Sequence, residues 1–224
     1  NHIAPVNKGE VVWTVDPTFV IFFGRLFNTG KVNLRRTIAL GGGAMQSPMY
    51  VEALFGTPFS VVLKDALTRQ EDVRLINGNP LTGTKSCLDD SVGVKTSEIT
   101  AIREGAEANE MFGWIMPRTN QFSTSRSYFS WLMGKKEYDL DARVKGGERH
   151  IIMSGEYDSV LPMDIYGEFL IKAIITGDID KMEQLGIYEV SPEDFALAEF
   201  VDSSKLELQR IVRQGLNMLR KENA

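Results

Sequence analysis

The sequence predicts a multi-domain protein of mixed α/β and α+β class. It opens as β-α-β, continues as a small β-grasp domain and closes in a domain that is mixed and then mostly helical. Three observations predict this. The first forty residues alternate strand and helix patterns, and a glycine-rich break follows at 41–48. Strand, helix and further strands then crowd into fewer than seventy residues. Beyond residue 160, apolar side chains recur at helical spacing. The expected divisions are 1–46, 47–110 and 111–224.

The elements follow in order. EVVWTV (10–15) is rich in β-branched residues and reads as a strand. Asp16 and Pro17 form an N-cap and first-turn pair. The helix they open carries Val20, Phe23, Leu26 and Phe27 on one side, and Gly30 can close it. RRTIAL (35–40) is a second strand, and a helix joining two strands implies a parallel right-handed crossover. One crossover is not a domain, so more of its sheet is expected upstream of Asn1, and the chain reads as part of a longer protein. MYVEALFG (49–56) alternates as a strand, Thr57-Pro58 opens a helix through Val61, Val62, Ala66 and Leu67, and DVRLING (72–78) and SEITAIREG (97–105) are strands. EMFGWIMP (110–117) is expected as a strand. STSRSYFSWLM (123–133) is expected as a helix with Tyr128, Trp131 and Leu132 on one side, and 138–159 as a strand pair or an irregular excursion. Ile165, Phe169, Leu170, Ala173 and Ile174 form a helical stripe. Ser191-Pro192 starts a helix with acids in its first turn, where the helix dipole favours them. Ser204 to Glu207 fits a capping box ahead of the stripe Leu208, Ile211, Val212, Leu216 and Leu219.

Composition narrows the function classes. A net charge of −5 gives no basic field for nucleic acid and no polybasic membrane anchor. A single cysteine, Cys87, excludes a disulfide within the chain and argues against a thiolate metal cage, and a reducing compartment is the simplest reading. The longest apolar run, Phe19 to Phe23, is far below the ~20 residues that span a bilayer. No stretch has the pattern of a signal peptide.

Candidate chemistry is thin. GNPLTGTKS (78–86) resembles a phosphate loop, but Thr84 sets Lys85 one place late and a poor helix former follows, so a hairpin loop is the better reading. Gly41-Gly42-Gly43 follows a strand, but Gln46 replaces the third glycine of a dinucleotide loop and another strand follows. Asp89-Asp90 is too small a shell for a hard cation. His150 has no evident orienting carboxylate, and Asp139, Asp141, Glu156 and Asp158 are too scattered for an acid–base pair. The residues alone thus describe a folded multi-domain chain without a catalytic constellation.

Several stretches resemble one family in order along nearly the whole chain. VVW (11–13), FGRLFNTG (23–30) and RTIALG (36–41) resemble its V-W strand, its I/F-G-x-L-F-x-T-G helix end and its R-x-x-A-L-x-G strand. VRLINGNPLTG (73–83), EMFGWIMPRTNQFSTSRSYFS (110–130), GEYDSVLPMDI (155–165) and GDIDKMEQLGIYEVSPEDFALAEFV (177–201) continue the match. Together they resemble the A subunit of the bacterial sodium-translocating NADH:quinone oxidoreductase, over about its C-terminal half. One departure stands out: where many relatives read F-V-C-P-S-K, this chain has FVDSSK (200–205), with Asp202 at the cysteine position.

The resemblance implies three regions: a Rossmann-like tail, a β-grasp domain of SLBB type and a helical C-terminal domain. It implies a peripheral subunit on the cytoplasmic face of the bacterial inner membrane. Its expected partners are the other subunits, especially the integral-membrane quinone-side subunit, with no nucleic acid and no transmembrane segment of its own. It implies no flavin, iron–sulfur cluster, NADH or quinone held by this chain, although the whole complex uses them. It also implies sodium export coupled to quinone reduction, with a scaffold role here that can extend to the quinone site. The alternatives are a stand-alone β-grasp ligand-binding module and a flavin- or NAD-dependent oxidoreductase. No catalytic, cofactor or metal residue is assigned. The candidate residues for a domain junction or subunit interface are Phe112, Trp114, Pro117, Phe122 and Arg126, where bulky aromatics meet a proline turn and a run of hydroxyls.

Overall fold

A computed structural model describes residues 6, 8–68, 71–105, 118–123, 126, 128–134 and 137–223. The chain divides into two units, Thr14–Arg143 and Val144–Ala224 with Asn1–Trp13. Residues 10–15 form no strand and are exposed, Trp13 most of all at 89%. A β-branched run forms a strand only when a neighbour completes its ladder, and no described strand pairs with it. The expected crossover is therefore not formed by the described residues.

In the first unit, helix α1 (Pro17–Thr29) starts and stops as its sequence predicts. The Asp16 carboxylate accepts the Thr18 N–H at 2.7 Å, Pro17 occupies the first turn, and Gly30 closes the helix in the left-handed region at φ 67°. Five strands then form one sheet: β1 (Arg35–Gly41), β2 (Met49–Leu54), β3 (Val73–Asn77), β4 (Thr84–Ser86) and β5 (Glu98–Arg103). Their order is β2-β1-β5-β3-β4. The central pair β1 and β5 is parallel, and every other neighbouring pair is antiparallel. The sheet thus runs across residues 46 and 47, where the sequence suggested a boundary, because β1 pairs with β2 beyond the glycine turn. Gly42 sits at φ 109°, and a Cβ there would lie 2.1 Å from the Ala101 carbonyl oxygen, so the turn can hug β5 only as glycine.

The residues of β1 alternate between outside and inside, with Arg36, Ile38 and Leu40 buried. Ile38 and Leu40 meet Phe59, Val92, Ile99 and Ala101 in the core. Helix α2 (Phe59–Val62) is a single turn and stops well before Ala66 and Leu67, which the sequence had placed in it. Phe59, rather than the exposed Val61, fills the core, and Asp65 reverses the chain at φ 61°. The GNPLTG segment is the loop of the β3–β4 hairpin, with the Asn79 side chain accepting the N–H groups of Leu81 and Thr82, both at 2.9 Å. The predicted strand at 110–117 lies outside the described residues. Within the predicted helix at 123–133, Phe129–Met133 form a short 3₁₀ helix. Residues 138–143 make an irregular excursion that touches β5 through an Arg103–Asp141 bridge.

The second unit packs α3 (Gly167–Thr176), α4 (Ile179–Gln184), α5 (Ala196–Val201) and α6 (Leu208–Glu222) around Tyr157, Leu170, Ile171, Met182, Ile187, Phe195, Leu208 and Val212. The stripes read from the sequence supply Leu170, Ala173, Ile174, Leu208, Val212 and Leu219 to this core, whereas Phe169 is exposed. Ser191 and Asp194 form the capping box of the turn that leads into α5. The box expected at 204–207 does not form. The Ser204 hydroxyl donates to the His150 carbonyl at 3.2 Å, and the start of α6 is capped from α5, where Glu199 accepts the Gln209 N–H at 2.8 Å. A carboxylate supplied from another helix satisfies the same orphan donors and lies at the favourable end of the helix dipole.

Candidate functional site

Of the five residues singled out, Phe112, Trp114 and Pro117 lie outside the described residues. Phe122 is partly exposed, and its ring meets Tyr138 edge to face with centroids 5.7 Å apart. The Arg126 guanidinium stacks over the Trp131 ring at 5.6 Å, with Arg126 itself at φ 56°. Arg118 repeats the device over Tyr128 at 6.0 Å and donates to the Gln121 side chain at 2.8 Å. Residues 118–134 therefore carry alternating guanidinium and aromatic groups.

Trp131 and Leu132, expected with Tyr128 on one side of a helix, are about half exposed or more in the 3₁₀ helix, as are Phe129 and Met133, and only Ser130 is buried there. Three residues per turn place side chains differently from the 3.6-residue period, so the expected face is not formed. Four large apolar side chains exposed within five residues make a contiguous patch of the kind that other molecules cover.

A second feature is an open pocket of about 340 Å³ between α1 and the β1–β2 edge, lined by Arg25, Arg35 and Arg36 among others. The sequence showed these only as a helix residue and two strand residues. Arg36 points inward with 3% of its surface exposed, donates to the Val94 carbonyl at 2.6 Å and lies 3.7 Å from Asp16. The Thr18 donors, and to a lesser degree Arg36, hold the Asp16 carboxyl below its ordinary range.

Asp202 is 3% exposed and accepts the N–H groups of Ser204 at 3.1 Å and Leu206 at 2.8 Å. It thereby holds the turn into α6. Buried Glu168 on α3 does the same for another turn, accepting from Ser154 N–H, Ser154 hydroxyl and Gly155 N–H at 2.8–3.1 Å. Both carboxylates are satisfied by backbone turns. Cys87 is exposed in the 87–90 turn, where its N–H donates to Asp90 at 2.8 Å. Among the described residues, no group of three or more His, Cys, Asp or Glu side chains is placed to hold a metal ion. No helix among them is long and apolar enough to cross a membrane.

Comparison with known proteins places this architecture. A model described as the NQRA C-terminal domain, of SLBB type, matches residues 37–87, and one described as the NqrA second alpha/beta domain matches residues 1–32. The first match begins inside β1 and ends just past β4. Relatives named as the A subunit of Na(+)-translocating NADH-quinone reductase are similar along the chain. That of Neisseria meningitidis serogroup B is 34% identical over 223 residues, which are 99% of this chain and 49% of the relative. That of Vibrio atlanticus is 32% identical, covering 99% of this chain and 50% of the relative. That of Vibrio parahaemolyticus is 33% identical with the same coverages. The chain spans about half the length of the curated relatives it matches. With two domain models matching in succession and about a third of its residues identical along its whole length, the chain belongs to the NqrA family, the A subunits of Na(+)-translocating NADH-quinone reductases.

Proposed function

We propose that this chain serves as a cofactor-free structural subunit of a sodium-translocating NADH-quinone reductase, peripheral to the membrane on its cytoplasmic face. Its work is to fold and to dock, and electron transfer and sodium export belong to its partners. The observation that carries this reading is the similarity over 99% of the chain to proteins whose name makes them subunits of such a complex. Supporting it, the described polar clusters are occupied in holding turns and caps, as Glu168, Asp202 and Glu199 illustrate. The patch at Phe129, Trp131, Leu132 and Met133, with Phe122 and Arg126 beside it, is the surface we assign to a neighbouring subunit, an integral-membrane one on the quinone side.

The first unit is read as a β-grasp fold. In support are the order β2-β1-β5-β3-β4, the parallel central pair and the single helical turn between β2 and β3. On this reading its N-terminal boundary lies between residues 32 and 37, where one family match ends and the next begins, and residues 1–32 belong to a Rossmann-like α/β domain. A visible absorption spectrum of the purified chain tests the cofactor-free reading. Featureless absorbance above the protein band is expected. A flavin band that survives gel filtration would favour an oxidoreductase acting on its own.

A further inference from the structure

We propose that the pocket bounded by Arg25, Arg35 and Arg36 binds the phosphate group of a small phosphorylated molecule. The lining draws Arg25 from α1 and the adjacent Arg35 and Arg36 from β1. Arg36 forms the floor: it is buried, always charged, and fixed by the Val94 carbonyl and Asp16. Arg25 and Arg35 form the rim and are exposed. Arg35 has a carboxylate, Glu52, only at 3.9 Å. Among the described residues, Arg25 has no carboxylate within ion-pair distance, and its guanidinium makes one long hydrogen bond, to the Arg35 carbonyl at 3.5 Å.

The charge balance is therefore local and positive. Asp16 offsets Arg36 and Glu52 loosely offsets Arg35, which leaves the Arg25 charge over, in a chain whose net charge is −5. A planar guanidinium presents paired N–H donors that match the oxygens of a phosphate, and such charge-assisted bonds are the strong ones. Ser97 and Asn33 add polar groups to the lining. A volume of about 340 Å³ admits a phosphate with a small organic tail and lies at the lower end of small-molecule sites. The pocket lies wholly within the Thr14–Arg143 unit, so this inference is independent of the proposed assembly with other subunits.

The test uses the purified chain and inorganic pyrophosphate as the probe, against chloride at matched ionic strength to cancel screening. At about 100 times its dissociation constant, pyrophosphate should raise the melting temperature by roughly 5 °C. Arg25→Gln and Arg35→Gln should each weaken binding about 10-fold, and the double variant should abolish the shift while melting like the parent in chloride. The control Arg220→Gln with Lys221→Gln removes the same charge from exposed positions on α6 and should keep the full shift. A second arm sediments the chain with vesicles carrying phosphatidic acid. Binding that the Arg25/Arg35 double variant abolishes would support the same pocket with a lipid headgroup as its source. The absence of any pyrophosphate shift, or a shift that persists in the double variant, would overturn the proposal.

Discussion

Tyr157 lies at the centre of the helical unit, 1% exposed, and its hydroxyl has no hydrogen-bond partner among the described residues. Burial, reinforced by the nearby Asp202, Glu168 and Glu156 carboxylates, pushes its ionisation far above the ordinary tyrosine range. A buried hydroxyl that makes no bond costs desolvation without return. Tyr157→Phe is therefore expected to leave stability within about 1 kcal/mol of the parent, or to raise it, by urea denaturation. A loss of more than about 2 kcal/mol would show that the hydroxyl is bonded. The neutral phenol also sets an alkaline limit. Its contribution is complete below the unfolded value near 10 and is lost as pH rises above it, because the unfolded chain alone then sheds the proton. Tyr157→Phe should flatten that fall. Glu104 has the opposite sign. Hydrogen bonds from Arg74, aided by Lys85, hold its carboxyl below the usual range, so its contribution is present above that range and lost as pH falls through the folded value. Glu104→Gln should weaken the acid dependence of stability between about pH 5 and 3, with a change of no more than about 1 kcal/mol at neutral pH.

Among the elements, those whose signals are local were legible in the sequence. Asp16-Pro17 and Gly30 delimit α1, the Ser191–Asp194 box opens the turn before α5, and the apolar stripes of α3 and α6 reach the core. Elements that depend on a distant partner were not. Residues 10–15 carry strand chemistry without a ladder, and the Ser204 capping signal was outcompeted by Glu199, ten residues before the N–H it caps. Glu199→Ala should cost about 1 kcal/mol and fray the first turn of α6, seen as faster amide exchange there, while Ser204→Ala should leave that turn protected. Helix packing gives a further expectation. A Cβ at Gly215 on α6 would lie 2.9 Å from Ile174 on α3 and 3.0 Å from Ile187. Gly215→Val should thus lose roughly 1–3 kcal/mol by overpacking.

For the molecule as a whole, a mixed fold of sheet and helices could be read from periodicity, but the pairing of its strands could not. The strand at 35–41 looks the same whether it pairs with a strand before it or after it, and only the ladder with β2 and β5 decides. Phe129, Trp131, Leu132 and Met133 are exposed on a 3₁₀ turn where a helix was expected, and no periodicity marks that exchange. The arginine pocket has no signature in the sequence, because its parts are ordinary where they stand in the chain. If docking is the chain's role, its exposed apolar patch should matter for assembly and not for stability. Phe129→Ser with Leu132→Ser should change the unfolding free energy by less than about 1 kcal/mol, as exposed substitutions do. The most direct measurement is recovery of membrane-bound NADH-quinone reductase subunits on the affinity-tagged chain, from detergent-solubilised membranes of a bacterium that makes the complex. The parent chain is expected to recover them, and the Phe129/Leu132 double variant to recover about 10-fold less or lower still. A parent chain that folds yet recovers none of them would contradict the account.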